Sequence, residues 1–333
     1  MKNLWSWAKK ILPWLVTAGL FAYLFHQIPP EKVAKALSFI HPILFTVYAI
    51  AYFFVIMLID SYSLSRVLNQ FCVPVSFREI LPARGVSYLL SLVNYNAGQA
   101  GLALYLKRSK NASFFKALGS ILFILVIDLY WVVLFAFVGS FFIQLELGKW
   151  NVSDWVQKVG LILFVGLLIH LAFWRNWFSK LFRVNIRVRF LDWIRGRHLF
   201  QTFHEATVLD YLKIALLRLP MHAVIISSLY IVVTTFQAKI PFFTILTTVP
   251  VILLVGVLPI TPGGLGTVQA ATIQFLKGSI VSPLFSQGQV SPEELLFALA
   301  LLWMFANYIL KALFGALCLK RVQGNLFKGE SAA

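Results

Sequence analysis

Apolar runs of about 20 residues recur along the whole chain, each long enough to cross roughly 30 Å of hydrocarbon as a helix. Of the 333 residues, 60% are hydrophobic and only 12% are charged, where a soluble domain carries about a quarter. The composition defines an all-α polytopic membrane protein.

The formal net charge of +17 raises the question of nucleic acid, but the basic residues sit in short loops between apolar runs. That placement fits the positive-inside rule and attraction to anionic head groups, and no nucleic-acid motif accompanies it. Cys72 and Cys318, the only cysteines, both fall on the side read as cytoplasmic, so no structural disulfide is expected. Lys9 and Lys10 before the apolar stretch from Ile11 imitate a signal peptide. The stretch lacks a small-x-small cleavage site and runs into Gln27-Ile28-Pro29-Pro30, which makes it a retained first span.

The loop charges order the chain. Spans are expected at about 11–27, 42–59, 117–145, 156–174, 211–236 and 295–319, with both termini cytoplasmic. Two further segments do not read as simple spans. The first, 86–106, is interrupted by Asn94-Tyr95-Asn96-Ala97-Gly98-Gln99-Ala100-Gly101 and has basic residues on both flanks: Arg78 and Arg84 before, Lys107, Arg108 and Lys110 after. A segment with cytoplasmic charge at both ends enters and leaves on one side, as a re-entrant hairpin. The second reads LPITPGGLGTVQAA from Leu258 to Ala271. A proline inside a helix costs about 3 kcal/mol and a glycine roughly 1 kcal/mol relative to alanine. Pro259, Pro262, Gly263, Gly264 and Gly266 therefore break the helix, with one half ending near Val257 and the next starting at Thr267.

Six spans and two hairpins facing opposite sides arrange as approximate inverted repeats, 11–145 and 156–319, within one transmembrane domain. A short outer loop joins them, and a basic cytoplasmic loop spans 175–198. The breaks share G-x-x-G, Gly98 to Gly101 and Gly263 to Gly266, with Asn96 or Thr261 two residues ahead.

Half-helix N-termini carry unpaired N–H groups and about half a positive charge, enough to hold a lipid phosphate without a cationic side chain. Asn94, Asn96, Gln99, Thr261 and Gln269 would add hydrogen bonds. Alternatively, the glycines serve only close helix packing. Asp128 lies mid-span, where a charge costs about 2.5–3.5 kcal/mol on insertion scales. It could take a proton, counter a head-group cation or pair structurally. Arg218 and His222, one turn apart, and Lys311 are candidates for head-group contact or for pairing with Asp128, with snorkelling to the interface the simpler reading of Arg218. His170 reads as a hydrogen-bonded packing residue. The basic stretch from Arg175 to Arg197, interleaved with Trp177, Phe178, Phe182, Phe190 and Trp193, reads as an interfacial segment or an ordinary basic loop.

No G-x-S-x-G, H-E-x-x-H, GK[ST] or Cys-x-x-Cys motif is present, and the six histidines show no metal-binding spacing. No catalytic residue, metal or cofactor is expected.

At LPITPGGLGTVQAA and LVNYNAGQAGLALYLKR the chain resembles the flippase-like membrane domain of the lysylphosphatidylglycerol synthases, over about residues 10 to 320. The most specific part is Pro259-x-x-Pro262-Gly263-Gly264-x-Gly266. The resemblance implies a bacterial or archaeal cytoplasmic membrane, two re-entrant hairpins and movement of a lipid between leaflets. The soluble domain that makes the aminoacyl lipid has no counterpart up to Ala333, so the resemblance does not extend to synthesis. Gln99 and Gln269 stand where relatives often carry glutamate, and Leu125 where they often carry arginine. These departures point away from a cationic aminoacyl lipid and towards a neutral or singly anionic lipid, such as a polyprenyl or hopanoid-type carrier.

The expected function is a lipid flippase with membrane lipids as partners, no nucleic acid, and room for a homo-oligomer or a membrane enzyme partner. No ATP motif is present, so movement would be downhill or ion-coupled, with Asp128 as the proton site. Two rivals are a non-catalytic accessory subunit docking through 175–197 and an intramembrane transferase, for which no paired acid and base is found.

Overall fold

The computed structural model describes residues 2–174, 197–258 and 260–327. Pro259 and the basic stretch 175–196 lie outside the described residues, and so does the reading of that stretch as an interfacial segment.

The elements run α1 (Lys2–Gln27), α2 (Pro30–Leu37), α3 (Pro42–Phe71), α4 (Phe77–Val93), α5 (Tyr95–Lys110) and α6 (Phe114–Gly139). A small antiparallel ribbon follows, β1 (Glu146–Leu147) paired with β2 (Trp150–Asn151). Then come α7 (Val152–Trp174), α8 (Gln201–Glu205), α9 (Val208–Thr234), α10 (Phe242–Val257), α11 (Thr267–Leu276), α12 (Pro283–Ser286) and α13 (Pro292–Phe327). Among the described residues five helices, α3, α6, α7, α9 and α13, are long and apolar enough to cross a membrane. The pair α1 and α2, bent by 76° at Ile28-Pro29, makes a sixth if counted as one span. The chain is a multi-pass, all-α membrane protein.

Several boundaries depart from the sequence reading. Helix α3 extends to Phe71 rather than ending at 59, because no proline or glycine interrupts it until Pro74. Arg66 is thus a helix residue, not a loop charge. Helix α4 begins at Phe77, nine residues before the expected hairpin start. Its first turn is fixed by a capping box: the Glu79 N–H donates to Ser76 Oγ, and the Ser76 N–H donates to Glu79 Oε2 at 2.8 Å. Arg84 consequently lies inside the hairpin arm, buried, and is not one of its flanking loop charges.

The chain forms two compact units. The first comprises Met1–Tyr52, Val132–Gly160 and Ala223–Asn307; the second comprises Phe53–Trp131, Leu161–His222 and Tyr308–Ala333. Apolar association between helices in lipid rests on close van der Waals packing. In the second unit that packing centres on Phe123, fully buried with Leu64, Leu68, Ile80 and Leu106. Its ring meets Tyr211 at 4.7 Å, Phe203 at 5.4 Å and Phe71 at 5.8 Å between centroids. Edge-on pairs of this kind contribute about 0.5–1.5 kcal/mol each beyond area burial. His170 joins the same cluster, with Nε2 3.0 Å from Tyr211 Oη and Phe203 beside the ring, a packing role as expected. In the first unit Ala136, Leu145, Val156 and Val251 form a smaller core, and Phe25 meets Phe297 at 5.2 Å. Both cysteines are free thiols.

Candidate functional site

Each unit holds one helical hairpin, and the two turns are built differently. In the second unit α4 and α5 reverse at Asn94 alone, whose extended backbone (φ −157°, ψ 124°) ends one helix and caps the next. Its Oδ1 accepts the Ala97 N–H at 3.1 Å. The expected interruption from 94 to 101 is therefore a correction: residues from Tyr95 onward are helical. Gly98 serves close approach, since a Cβ there would sit 2.0 Å from Ser91 Oγ and 2.6 Å from the Ser87 carbonyl oxygen on the opposing arm. Gly101 likewise faces Leu90. This is the packing alternative for the first G-x-x-G, and Asn96 is left exposed at the tip.

In the first unit the break between α10 and α11 falls where the sequence placed it, from Leu258 to Gly266. Gly263 (φ 61°), Gly264 (φ 75°) and Gly266 (φ 84°) take left-handed backbone that side chains rarely adopt. Pro262 opens the 3-10 turn Pro262–Gly264. Thr267 Oγ1 lies 3.2 Å from Thr261 Oγ1 and donates to the Gly264 carbonyl at 3.0 Å, stitching the turn shut. Gln269 turns back on its own helix: Oε1 accepts the Gly266 N–H at 2.8 Å, and Nε2 donates to Met304 Sδ at 3.3 Å. Asn94 and Gln269, expected to hydrogen-bond a ligand, thus spend their acceptor oxygens on the N-termini of α5 and α11. The shared G-x-x-G spacing serves helix packing in one hairpin and chain reversal in the other.

The charged candidates converge in the second unit. Asp60 on α3, 3% exposed, accepts from Arg84 Nε at 2.6 Å and from Tyr88 Oη at 2.5 Å through Oδ2. Its Oδ1 accepts from Arg218 Nη1 at 2.6 Å. Arg84 and Tyr88 stand one turn apart on α4, so the guanidinium lies 5.2 Å from the tyrosine ring centroid while both reach the same carboxylate. Arg84 Nη1 also donates to Gln99 Oε1 on α5 at 3.0 Å, tying the two hairpin arms together. Arg218 on α9 turns its other edge to Asp128 on α6, Nε to Oδ1 at 2.8 Å and Nη2 to Oδ2 at 2.6 Å. His222, one turn further along α9, places Nε2 3.0 Å from Asp128 Oδ1. Of the three readings of Asp128, the geometry displays structural pairing. Arg218 does not snorkel: its side chain is 3% exposed, since two carboxylates hold the fork inward.

Lys311 on α13 joins this cluster without pairing to a carboxylate. Its Nζ lies 5.8 Å from the Tyr88 ring centroid, and it makes no ion pair among the described residues. Two aspartates therefore face two arginines and a lysine, an excess of one formal positive charge over these five side chains. The hydroxyls of Ser61 and Ser87, beside Asp60 and one turn from Arg84, are buried without a partner.

The structure thus brings together Gln99, Asp128, Arg218, His222 and Lys311, and separately groups Thr261, Pro262, Gly263, Gly264, Gly266 and Gln269 in the other unit. Asp60, Arg84 and Tyr88 were missed by sequence reasoning. The signal available was an aspartate closing an apolar run, and an Arg–Tyr pair at helical spacing in a segment with no charge opposite it. No cluster of three or more metal-ligating side chains occurs among the described residues.

Membrane-spanning helices, with a buried, hydrogen-bonded charge network in the second unit, define a polytopic membrane protein. Its family is explicit: the chain belongs to the lysylphosphatidylglycerol synthase TM region family, whose model matches residues 10–315. No curated protein and no solved structure matches it.

Proposed function

We propose that the protein moves a phosphate-bearing membrane lipid between the leaflets of a bacterial cytoplasmic membrane, with both termini in the cytoplasm and no covalent chemistry of its own. The observation that carries this reading is Lys311, a half-buried ammonium beside a network whose other charges are matched. Ionisable groups inside a membrane protein are costly and mark the path of a polar species. One surplus cation beside an otherwise paired charge network suits the single charge of a phosphodiester. Membership of a lipid-associated membrane family supports the same direction. The basic N-terminal Lys2, Lys9 and Lys10 support the orientation.

Reconstitution in liposomes with fluorescent phosphatidylglycerol tests the proposal. Protein should speed exposure of inner-leaflet label to a membrane-impermeant quencher, and Lys311→Met should slow it at least tenfold. Rates equal to protein-free liposomes, or a variant as fast as the parent, would remove the reading.

A further inference from the structure

A groove of about 490 Å³ lies between α3 and α9 in the second unit, and none of the foregoing uses it. Arg66 lines it from α3 with Tyr62 and Gln70, and Lys213 lines it from α9 with Leu217. Two cations therefore share one groove whose described lining contains no carboxylate.

Two polar ties set how these helices lie against each other. Asp60 Oδ1 accepts from Arg218 Nη1 at 2.6 Å, and Gln70 Nε2 donates to Asp210 Oδ1 at 2.8 Å. As α3 advances from 60 to 70 its partner on α9 retreats from 218 to 210, so the two run antiparallel. At about 1.5 Å per residue, Arg66 lies about 9 Å along α3 from the first tie and Lys213 about 8 Å along α9. The two cations thus stand at matching heights on facing helices, where like charges repel. Neither forms an ion pair among the described residues. Asp210 is held elsewhere: its carboxylate accepts from Gln70 and from the Thr207 N–H and hydroxyl, at 2.8 and 2.7 Å. It acts on Lys213 only through space.

The α3 surface beside the groove is graded. Leu58, Tyr62, Arg66 and Gln70 follow one another at four-residue spacing, form one ridge and are all exposed. Towards the helix end that ridge passes from hydrocarbon through a phenol to a guanidinium and an amide. On α9, Leu212 and Leu216 are likewise exposed on either side of Lys213. A phospholipid lying along a span has the same order: acyl chains, glycerol interface, phosphate. A soluble anion would have no use for the apolar part.

We propose that this groove holds the phosphate of an anionic phospholipid from the leaflet at the C-terminal end of α3, the cytoplasmic leaflet in the orientation given above. Arg66 and Lys213 close on the phosphate from opposite walls, and its charge offsets their repulsion. Basic clefts between spans at that face are suited to lipid head groups. The acyl chains then run along Leu58 and Leu216. The site does not rest on the phosphate reading of the Lys311 cluster and stands or falls separately.

The test reconstitutes the full chain in liposomes with phosphatidylglycerol or phosphatidylcholine, each carrying the same diazirine near the glycerol end of one acyl chain. After photolysis, peptide mapping compares labelling at the groove with labelling of the rest of the chain. Phosphatidylglycerol should label the groove about tenfold more strongly than phosphatidylcholine. Arg66→Gln with Lys213→Gln should abolish that preference, and the charge-keeping pair Arg66→Lys with Lys213→Arg should retain most of it. Both positions are exposed, so the glutamine variant should melt no lower than the parent in detergent. Lys311→Met should leave groove labelling at the parental level. Equal labelling by the two lipids, or parental preference in the glutamine variant, overturns the proposal. Groove labelling lost with Lys311→Met would make the groove part of that cluster and overturn a separate site. Preference removed by excess glycerol 3-phosphate would assign the groove to a soluble anion and overturn the lipid.

Discussion

Arg218 and Asp128 meet edge to edge, two hydrogen bonds of 2.8 and 2.6 Å running from one guanidinium face to both carboxylate oxygens. The remaining guanidinium nitrogen, Nη1, reaches Asp60. One side chain thus ties α3, α6 and α9, and only the planar fork of arginine can do so.

Arg218→Met should destabilise the protein by about 3 kcal/mol, because it leaves Asp128 with His222 alone and takes one of three partners from the buried Asp60. Arg218→Lys should fall between parent and methionine, keeping the charge but losing the fork. Adding Asp128→Leu to Arg218→Met should recover part of the loss. Thermal unfolding in detergent reads all three, and additive losses in the double variant would contradict the pairing.

Lys311→Met should behave in the opposite way. With no ion-pair partner among the described residues, the ammonium contributes little to folding, so the methionine variant should melt at or above the parental temperature. Native mass spectrometry should show its retention of anionic phospholipid reduced by about tenfold.

The cap of α4 gives a pH dependence. The hydrogen bond from Lys110, then the bonds from Ser76, hold the Glu79 carboxyl at about 2, below its usual 4.5. A lowered folded pKa means the contribution is complete above pH 4.5 and disappears as pH falls towards 2. The side chain is 42% exposed, so screening keeps this contribution within about 1 kcal/mol. Glu79→Gln should flatten stability against pH in that acid window, while Ser76→Ala should cost about 1 kcal/mol at neutral pH.

Gly266→Ala should cost about 1–2 kcal/mol from its φ of 84° alone. A Cβ there also meets Leu20 Cβ at 3.1 Å, which adds strain. Gly98→Ala should be worse despite ordinary helical backbone, because the opposing Ser91 and Ser87 leave no room. Thermal unfolding of the two variants distinguishes backbone strain from steric exclusion.

These residues also mark where the sequence could be read. The spans were legible because an apolar run of span length has few alternatives in lipid. The break after Val257 was legible because two prolines and three glycines in eight positions admit no helix. The first hairpin was only half legible, since Gly98 and Gly101 signal interruption and close packing with equal force and only the opposing arm decides. Arg84 was misassigned because a charge at the edge of an apolar run looks like a loop boundary. Its partner Asp60 lies 24 residues earlier, on a helix that continued past the expected end. Lys311 and Asp128 stood out as isolated charges, but which partner each found depended on helix rotation.

The spacing of the network along the chain sets a problem of biogenesis. Asp60 meets Arg84 only 24 residues later, so that pair can form as the ribosome delivers the first hairpin. Asp128 must wait 90 residues for Arg218. At about 5–20 residues per second that is roughly 5 to 20 s during which α6 is made and its aspartate has no guanidinium. Its release from the insertion machinery into lipid should therefore lag until α9 emerges, so that α6 and α9 leave the translocon together rather than one by one.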